Sequence, residues 1–147
     1  MAVNGRYFSW TLTAGEDLAD LRPRTGHLFR AIALDDGKIA QNGREAGGIL
    51  LYGGLQGEHI AIGYAGIIKF LAGRPIEVGR HLTVLSDGSF AQAHPGDWVV
   101  GRCLDKAVAS GAIGTGAFNF ATTAYMGNPG EAALDYWDVL PDPTPSR

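Results

Sequence analysis

The chain has 147 residues, 46% of them hydrophobic and 18% charged, with a net charge of −3. That is enough for one domain with one substantial core, and the absence of a Lys/Arg cluster argues against a surface that tracks nucleic-acid phosphates. The single cysteine, Cys103, excludes an intrachain disulfide and a four-cysteine metal site. No charge-free apolar run reaches about 18 residues, so no transmembrane helix is expected. Met1 to Trp10 lacks the apolar core of a signal peptide. Glycine occurs 22 times, against an average usage of about 7%. The glycines are spread through apolar runs, which fits short strands and tight turns.

In chain order, residues 1–14 read as an N-terminal arm. Tyr7, Phe8 and Trp10 alternate with Ser9, Thr11 and Thr13, a pattern that suits an edge strand or a strand lent to a neighbour. Folding of Trp10 and Leu12 back onto their own core is the plainer alternative. Gly15 to Leu21 carries acidic residues at its start, which suits a helix dipole, and Pro23 opposes continuation; a short helix over 15–21 is expected. Leu28 to Leu34 reads as a strand, with a hairpin turn at Asp35-Asp36-Gly37 and a return over Lys38 to Gln41. Gly48 to Tyr52 is a further strand.

The stretch Gln56 to Gly73 is the longest apolar run with a period of two. Ile60, Ile62, Tyr64, Ile68 and Phe70 occupy even positions, and His59, Ala61, Gly63, Ala65 and Lys69 odd ones. One bulky core face and one small face are expected, with a bulge or bend at Gly66. Beyond it, Ile76 to Leu85 contains a strand, Ser86-Asp87-Gly88 turns it, and Ser89 to Ala93 returns. Trp98 to Leu104 and Ala117 to Ala121 complete the strands of a core domain over 15–121. In the C-terminal extension, 122–147, Tyr136 and Trp137 precede Pro141, Pro143 and Pro145; such a tail packs on its own domain or on a partner, and aromatic enrichment at interfaces favours the partner.

Leu34 to Gln41 resembles Leu85 to Gln92, and each is followed by an apolar strand, a loop and one more strand. A hairpin–strand–loop–strand unit thus occurs twice, which points to an all-β fold, a compact barrel or sandwich that leaves few open edges.

Chemistry is sparse. His27, His59, His81 and His94 show no metal-ligand spacing, and surface or interface positions suit them best. Cys103, in an apolar strand, reads as a small buried hydrophobe. The Asp-Gly turns answer to turn chemistry. Gly111, Gly114 and Gly116 lack the order, the helix and the lysine of a phosphate loop. No carboxylate pair stands out as general acid and base. Nothing argues for an enzyme or a cofactor.

The order of features is similar to that of the capsid cement, or head decoration, proteins of tailed phages. The likeness runs from Ala14 to Ala121. It comprises Ala14-Gly15-Glu16-Asp17-Leu18, a strand with an Asp-Gly hairpin, Gly48-Ile49-Leu50 and Gly57-Glu58-His59-Ile60-Ala61-Ile62. It continues through Gly66-Ile67-Ile68-Lys69, Ile76-Glu77-Val78-Gly79, the Asp87-Gly88 hairpin and Val99-Val100-Gly101-Arg102-Cys103-Leu104. Arg80 departs from the pattern, where the family often carries an acidic residue. The aromatic arm and the tail lie outside it. The resemblance implies a non-enzymatic virion protein, made in the host cytoplasm and bound to the outer surface of the capsid. There it bridges major capsid protein subunits, and a homotrimer near threefold positions is the favoured assembly. Tyr7, Phe8, Trp10, Tyr136 and Trp137 are the candidate contacts to the capsid or between subunits, with no nucleic-acid or membrane partner. Two other functions compete. One is a β-barrel module for a sugar or other small ligand, using Trp98 and Trp137. The other is a small hydrolase that pairs a histidine with a carboxylate and Thr83, Ser86 or Ser89.

Overall fold

The computed structural model describes residues 5–22, 25–105, 108–121 and 124–125. Its strands are β1 (Tyr7–Thr13), β2 (Ala31–Ala33), β3 (Ala46–Tyr52), β4 (His59–Leu71), β5 (His81–Val84), β6 (Phe90–Gln92), β7 (Trp98–Val99), β8 (Gly101–Cys103), β9 (Ile113–Asn119) and β10 (Ala124–Tyr125). The main sheet pairs in the order β2-β3-β4-β9-β8-β5-β6, with β1 also on β4, and β7 pairs separately with β10. The fold is all-β, with no helix among the described residues.

β4 is the strand on which both halves of the molecule are built. Its residues Ala61 to Gly63 pair with β3 and with β1, and Ala65 and Gly66 pair with β9 and again with β1. A strand has two edges, so β3 and β9 must lie end to end along one of them, with β1 along the other. The sheet therefore divides, β3 and β2 leaving in one branch and β9, β8, β5 and β6 in the other. The branches come together again at the hairpin turn between β5 and β6. Ala31 N–H donates to Gly88 O at 2.8 Å, Gly73 N–H donates to Phe90 O at 2.8 Å, and Arg30 Nη1 donates to Asp87 O at 2.8 Å. The result is a nearly closed barrel.

The division coincides with a bulge. The register between β1 and β4 steps from Phe8–Ala65 to Ser9–Gly63, which leaves Tyr64 as the extra residue. The bulky even positions of β4 therefore do not form one face. Ile60 and Ile62 belong to a small core with Ala14, Leu18, Ile32 and Leu50, whereas Ile68 and Phe70 belong to the main core inside the barrel. Gly66, at φ 115°, takes the left-handed conformation that only glycine adopts readily. A side chain there would strike Arg6 O and Tyr7 of β1.

Two expectations are corrected. Residues 15–21 form no helix but an extended strap across the outside of β2, β3 and β4. Its backbone donors are drawn away from the helical pattern: Gly15 N–H to Gly37 O at 3.0 Å, Leu18 N–H to Gly54 O at 2.8 Å and Ala19 N–H to the Asp17 carboxylate at 3.0 Å. Burial of Ala14 and Leu18 against the small core overrides the weak local preference of a short acidic segment. The closing strand begins at Ile113 and not at Ala117. Gly114 and Gly116 sit inside it because a side chain at either would meet a phenylalanine ring, that of Phe70 or of Phe118.

The internal repeat is longer than the sequence suggests. In the first unit, β1 runs into Ala14-Gly15-Glu16-Asp17-Leu18; in the second, the end of β4 runs into Ala72-Gly73-Arg74-Pro75-Ile76. Ala14, Leu18, Ala72 and Ile76 are all buried. Gly15 and Gly73 each donate to the hairpin that follows in the same unit, to Gly37 O and Phe90 O. In both hairpins the turn aspartate accepts the backbone N–H two residues on, Asp36 from Lys38 and Asp87 from Ser89, each at 3.0 Å. One unit is thus β1, β2, β3 and the first half of β4; the other is the second half of β4, β5 with β6, β8 and β9.

Candidate interaction surface

β1 places its aromatic residues in solvent. Its even positions, Phe8, Trp10 and Leu12, alternate with Tyr7, Ser9, Thr11 and Thr13 across the strand. Leu12 packs on the small core, while Phe8 is 67% and Trp10 59% exposed. Both alternatives for the arm are thus realised in part: β1 folds onto its own β4, and its rings remain outside. Leaving two large aromatic side chains uncovered forgoes most of the stabilisation their burial would bring, so they are the candidates for contact with another molecule.

The face continues beyond β1. The Phe8 and Tyr64 rings lie 6.2 Å apart, tilted by 32°. Trp10, Leu34, Gly47, Ile62, Tyr64, Phe120 and Ala121 line a shallow apolar groove of about 370 Å³. It lies where the small core, through Ile62, meets the main core, through Phe120 and the half-buried Tyr64. Leu34 is 56% exposed, and among the described residues no lysine, arginine, aspartate or glutamate lines the groove. Such a lining offers dispersion contact and water release, not proton transfer or ion binding.

Leu34, Tyr64 and Phe120 were not legible as members of this surface. Tyr64 occupies an even position that the alternation assigns to the core; it does pack against the main core, and it also lines the groove. Of the expected contact residues, Tyr7, Phe8 and Trp10 come together on β1. Tyr136 and Trp137 lie outside the described residues.

The remaining candidates are dispersed. His27 precedes β2, His59 and His81 open β4 and β5, and His94 follows β6. Among the described residues no group of three or more His, Cys, Asp or Glu is placed to hold a metal ion. Cys103 is buried, and desolvation raises its thiol pKa, the opposite of an activated nucleophile. Ser89 Oγ donates to the Asp87 carboxylate within the hairpin turn. Trp98, proposed for sugar stacking, is half-buried at the β7–β10 pair, opposite Tyr125 in register.

The chain is a small all-β, barrel-like domain whose distinctive exposed feature is an uncharged aromatic face on an edge strand. In fold it is similar to the N base of head fiber gp8.5 of bacteriophage phi29, with a TM-score of 0.58 and 18% sequence identity over 78% of this chain and 96% of that one. No family model and no curated protein matches the sequence.

Proposed function

We propose that this is a structural protein of a tailed-phage head, a decoration protein that binds the outer surface of the capsid and stabilises it by bridging major capsid subunits. The observation that carries the reading is the exposed Phe8, Trp10 and Leu34 beside the half-buried Tyr64, on an otherwise well-packed barrel. Two likenesses support it: the ordered motifs shared with the cement family, and a fold like that of a phage head fiber base. The physical logic agrees. A head protein needs a rigid core and an adhesive face, and each copy needs only modest affinity because many copies share one lattice. A protein that binds the assembled shell and not the separated subunits stabilises the shell by linkage. The proposal includes contact with its own copies, as a trimer near threefold positions, and contacts from the Tyr136–Trp137 segment.

The test uses side-chain truncation. Removing residues 2–12 would take β1 and Leu12 away from β4 and expose Ile60 and Ile62, so lost binding could reflect lost folding. Phe8→Ala with Trp10→Ala leaves the β1 backbone in place. Purified heads of the encoding phage, lacking their own copies of the protein, are incubated with wild type or the double variant. Occupancy is read after sedimentation. The double variant is expected to bind at least about tenfold more weakly, two truncated aromatic contacts each being worth about 1 kcal/mol or more; equal occupancy would contradict the proposal.

A further inference from the structure

β1 has a second feature, independent of its rings: an open backbone edge. One of its edges pairs with β4, and among the described residues no strand pairs with the other. The repeat shows what that position looks like when it is filled. The second half of β4 stands in the second unit where β1 stands in the first. Its corresponding edge is occupied, by Gly5 and Arg6 at Ile67 and by Phe29 O, which accepts from Leu71 N–H at 3.1 Å. Apart from its Thr13 end, where the Gly37 turn lies against Thr13 O, β1 carries none of the devices that protect an edge. From Tyr7 to Thr13 it has no charge and no proline, it is seven residues long, and the bulge at this pairing sits in β4 and not in β1. β6, at one end of the sheet order, is three residues long, and the Gly73 N–H bonds to its Phe90 O.

We propose that the open edge of β1 pairs antiparallel with β1 of a second copy. The argument for this occupant is complementarity of the strand with itself. In the register that pairs all seven residues, Trp10 faces Trp10, Phe8 faces Leu12, Ser9 faces Thr11 and Tyr7 faces Thr13. Residues directly opposite in an antiparallel pair lie on the same face, so apolar meets apolar, hydroxyl meets hydroxyl, and no like charges are opposed. The pairing joins the two aromatic faces into one continuous surface across a twofold axis. It does not depend on the capsid proposal, and it uses a surface that a threefold contact cannot also use in the same way.

The test is made on the free, full-length protein at about 100 µM. Trp10→Cys places two cysteines opposite one another at a Cα separation of about 4.5–5.5 Å, within disulfide range. Mild oxidation is expected to give a covalent dimer. Tyr52→Cys, similarly exposed at the end of β3, serves as the control and should form no covalent dimer. Charge then reads the register. Ser9→Lys with Thr11→Lys puts lysine opposite lysine and is expected to weaken the dimer about tenfold or more in light scattering. Ser9→Asp with Thr11→Lys puts opposite charges together and is expected to restore it. Both positions are exposed, so folding, followed by circular dichroism, should not change. No selective cross-link at position 10, or equal dissociation of the two charge variants, would overturn the proposal.

Discussion

The two units of the barrel share a topology and use their aromatic residues in opposite ways. In the second unit, phenylalanines fill the interior. Phe90 lies 5.5 Å from Phe70 and 5.4 Å from Phe118, edge to face, and Phe118 stacks on Phe120 at 5.5 Å. In the first unit, the interior side is lined by Ala31, Ala33, Ala46 and Ile49, and Phe8 and Trp10 stand outside. The small residues of the first unit make room for the rings of the second. One unit thus supplies most of the packing and the other is free to present a surface.

The largest effect should come from Ile62→Asp. Ile62 is wholly buried under the strap at the junction of the two units, and an unpaired carboxylate there costs more than a domain of this size can spare. We expect insoluble or unfolded protein by circular dichroism; a soluble, cooperatively folding variant would mean that the strap does not seal this face.

Phe90→Ala comes next. It removes a buried ring in edge-to-face contact with Phe70, Phe118 and Phe120 and should cost about 3–5 kcal/mol in urea unfolding. Trp10→Ala, in the other unit, should cost less than about 1 kcal/mol, because its ring is already largely in water. Equal losses at the two sites would break the contrast between the units.

Gly37→Ala is smaller again. Gly37 has φ 71°, and a Cβ there would press on Thr13 O. The left-handed conformation alone costs about 1–2 kcal/mol for a non-glycine residue, and the contact adds to it. A loss below about 0.5 kcal/mol would indicate that the first hairpin yields where the second is fixed.

The smallest effect concerns pH and the second hairpin. Burial alone would raise the pKa of Asp87, but hydrogen bonds from the Ser89 N–H and hydroxyl, with Arg30 nearby, outweigh it and hold the carboxyl below its ordinary value. The folded state therefore favours the ionised form. Its contribution is complete above the unfolded-state pKa of about 3.9 and is lost as pH falls through the lower folded value. Asp87→Asn should reduce stability at pH 7 by about a few tenths of a kcal/mol, given its exposure. It should also flatten the pH dependence below about pH 4; an unchanged acid profile would mean that the turn does not select the charged form.

The repeat explains what could be read from the sequence. The two Asp-Gly turns and the alternation in β3 and β4 are local signals, and they indicate an all-β barrel or sandwich with its strands near their observed places. The strap failed as a helix because its fate depends on Ile60, Leu50 and Ile32, residues distant in sequence that bury Leu18. β9 was read short because glycines that yield to Phe70 and Phe118 look like a loop until those rings are in place. The site was half legible for a related reason. Tyr7, Phe8 and Trp10 alternate with polar residues in one short stretch, so their strand is visible. Leu34, Tyr64 and Phe120 join them through the bulge at Tyr64, which Gly66 signals only to within two residues, and through the division of the sheet, which leaves no local mark.

The central claim, that the face of the first unit holds the protein on a phage head, is tested most directly by the binding of Phe8→Ala/Trp10→Ala to undecorated heads, with Phe90→Leu as a core control. The account predicts occupancy by the surface variant that reaches half-saturation only at about tenfold or higher concentration than wild type, with retained binding for the core control. Undiminished occupancy of the surface variant would contradict it.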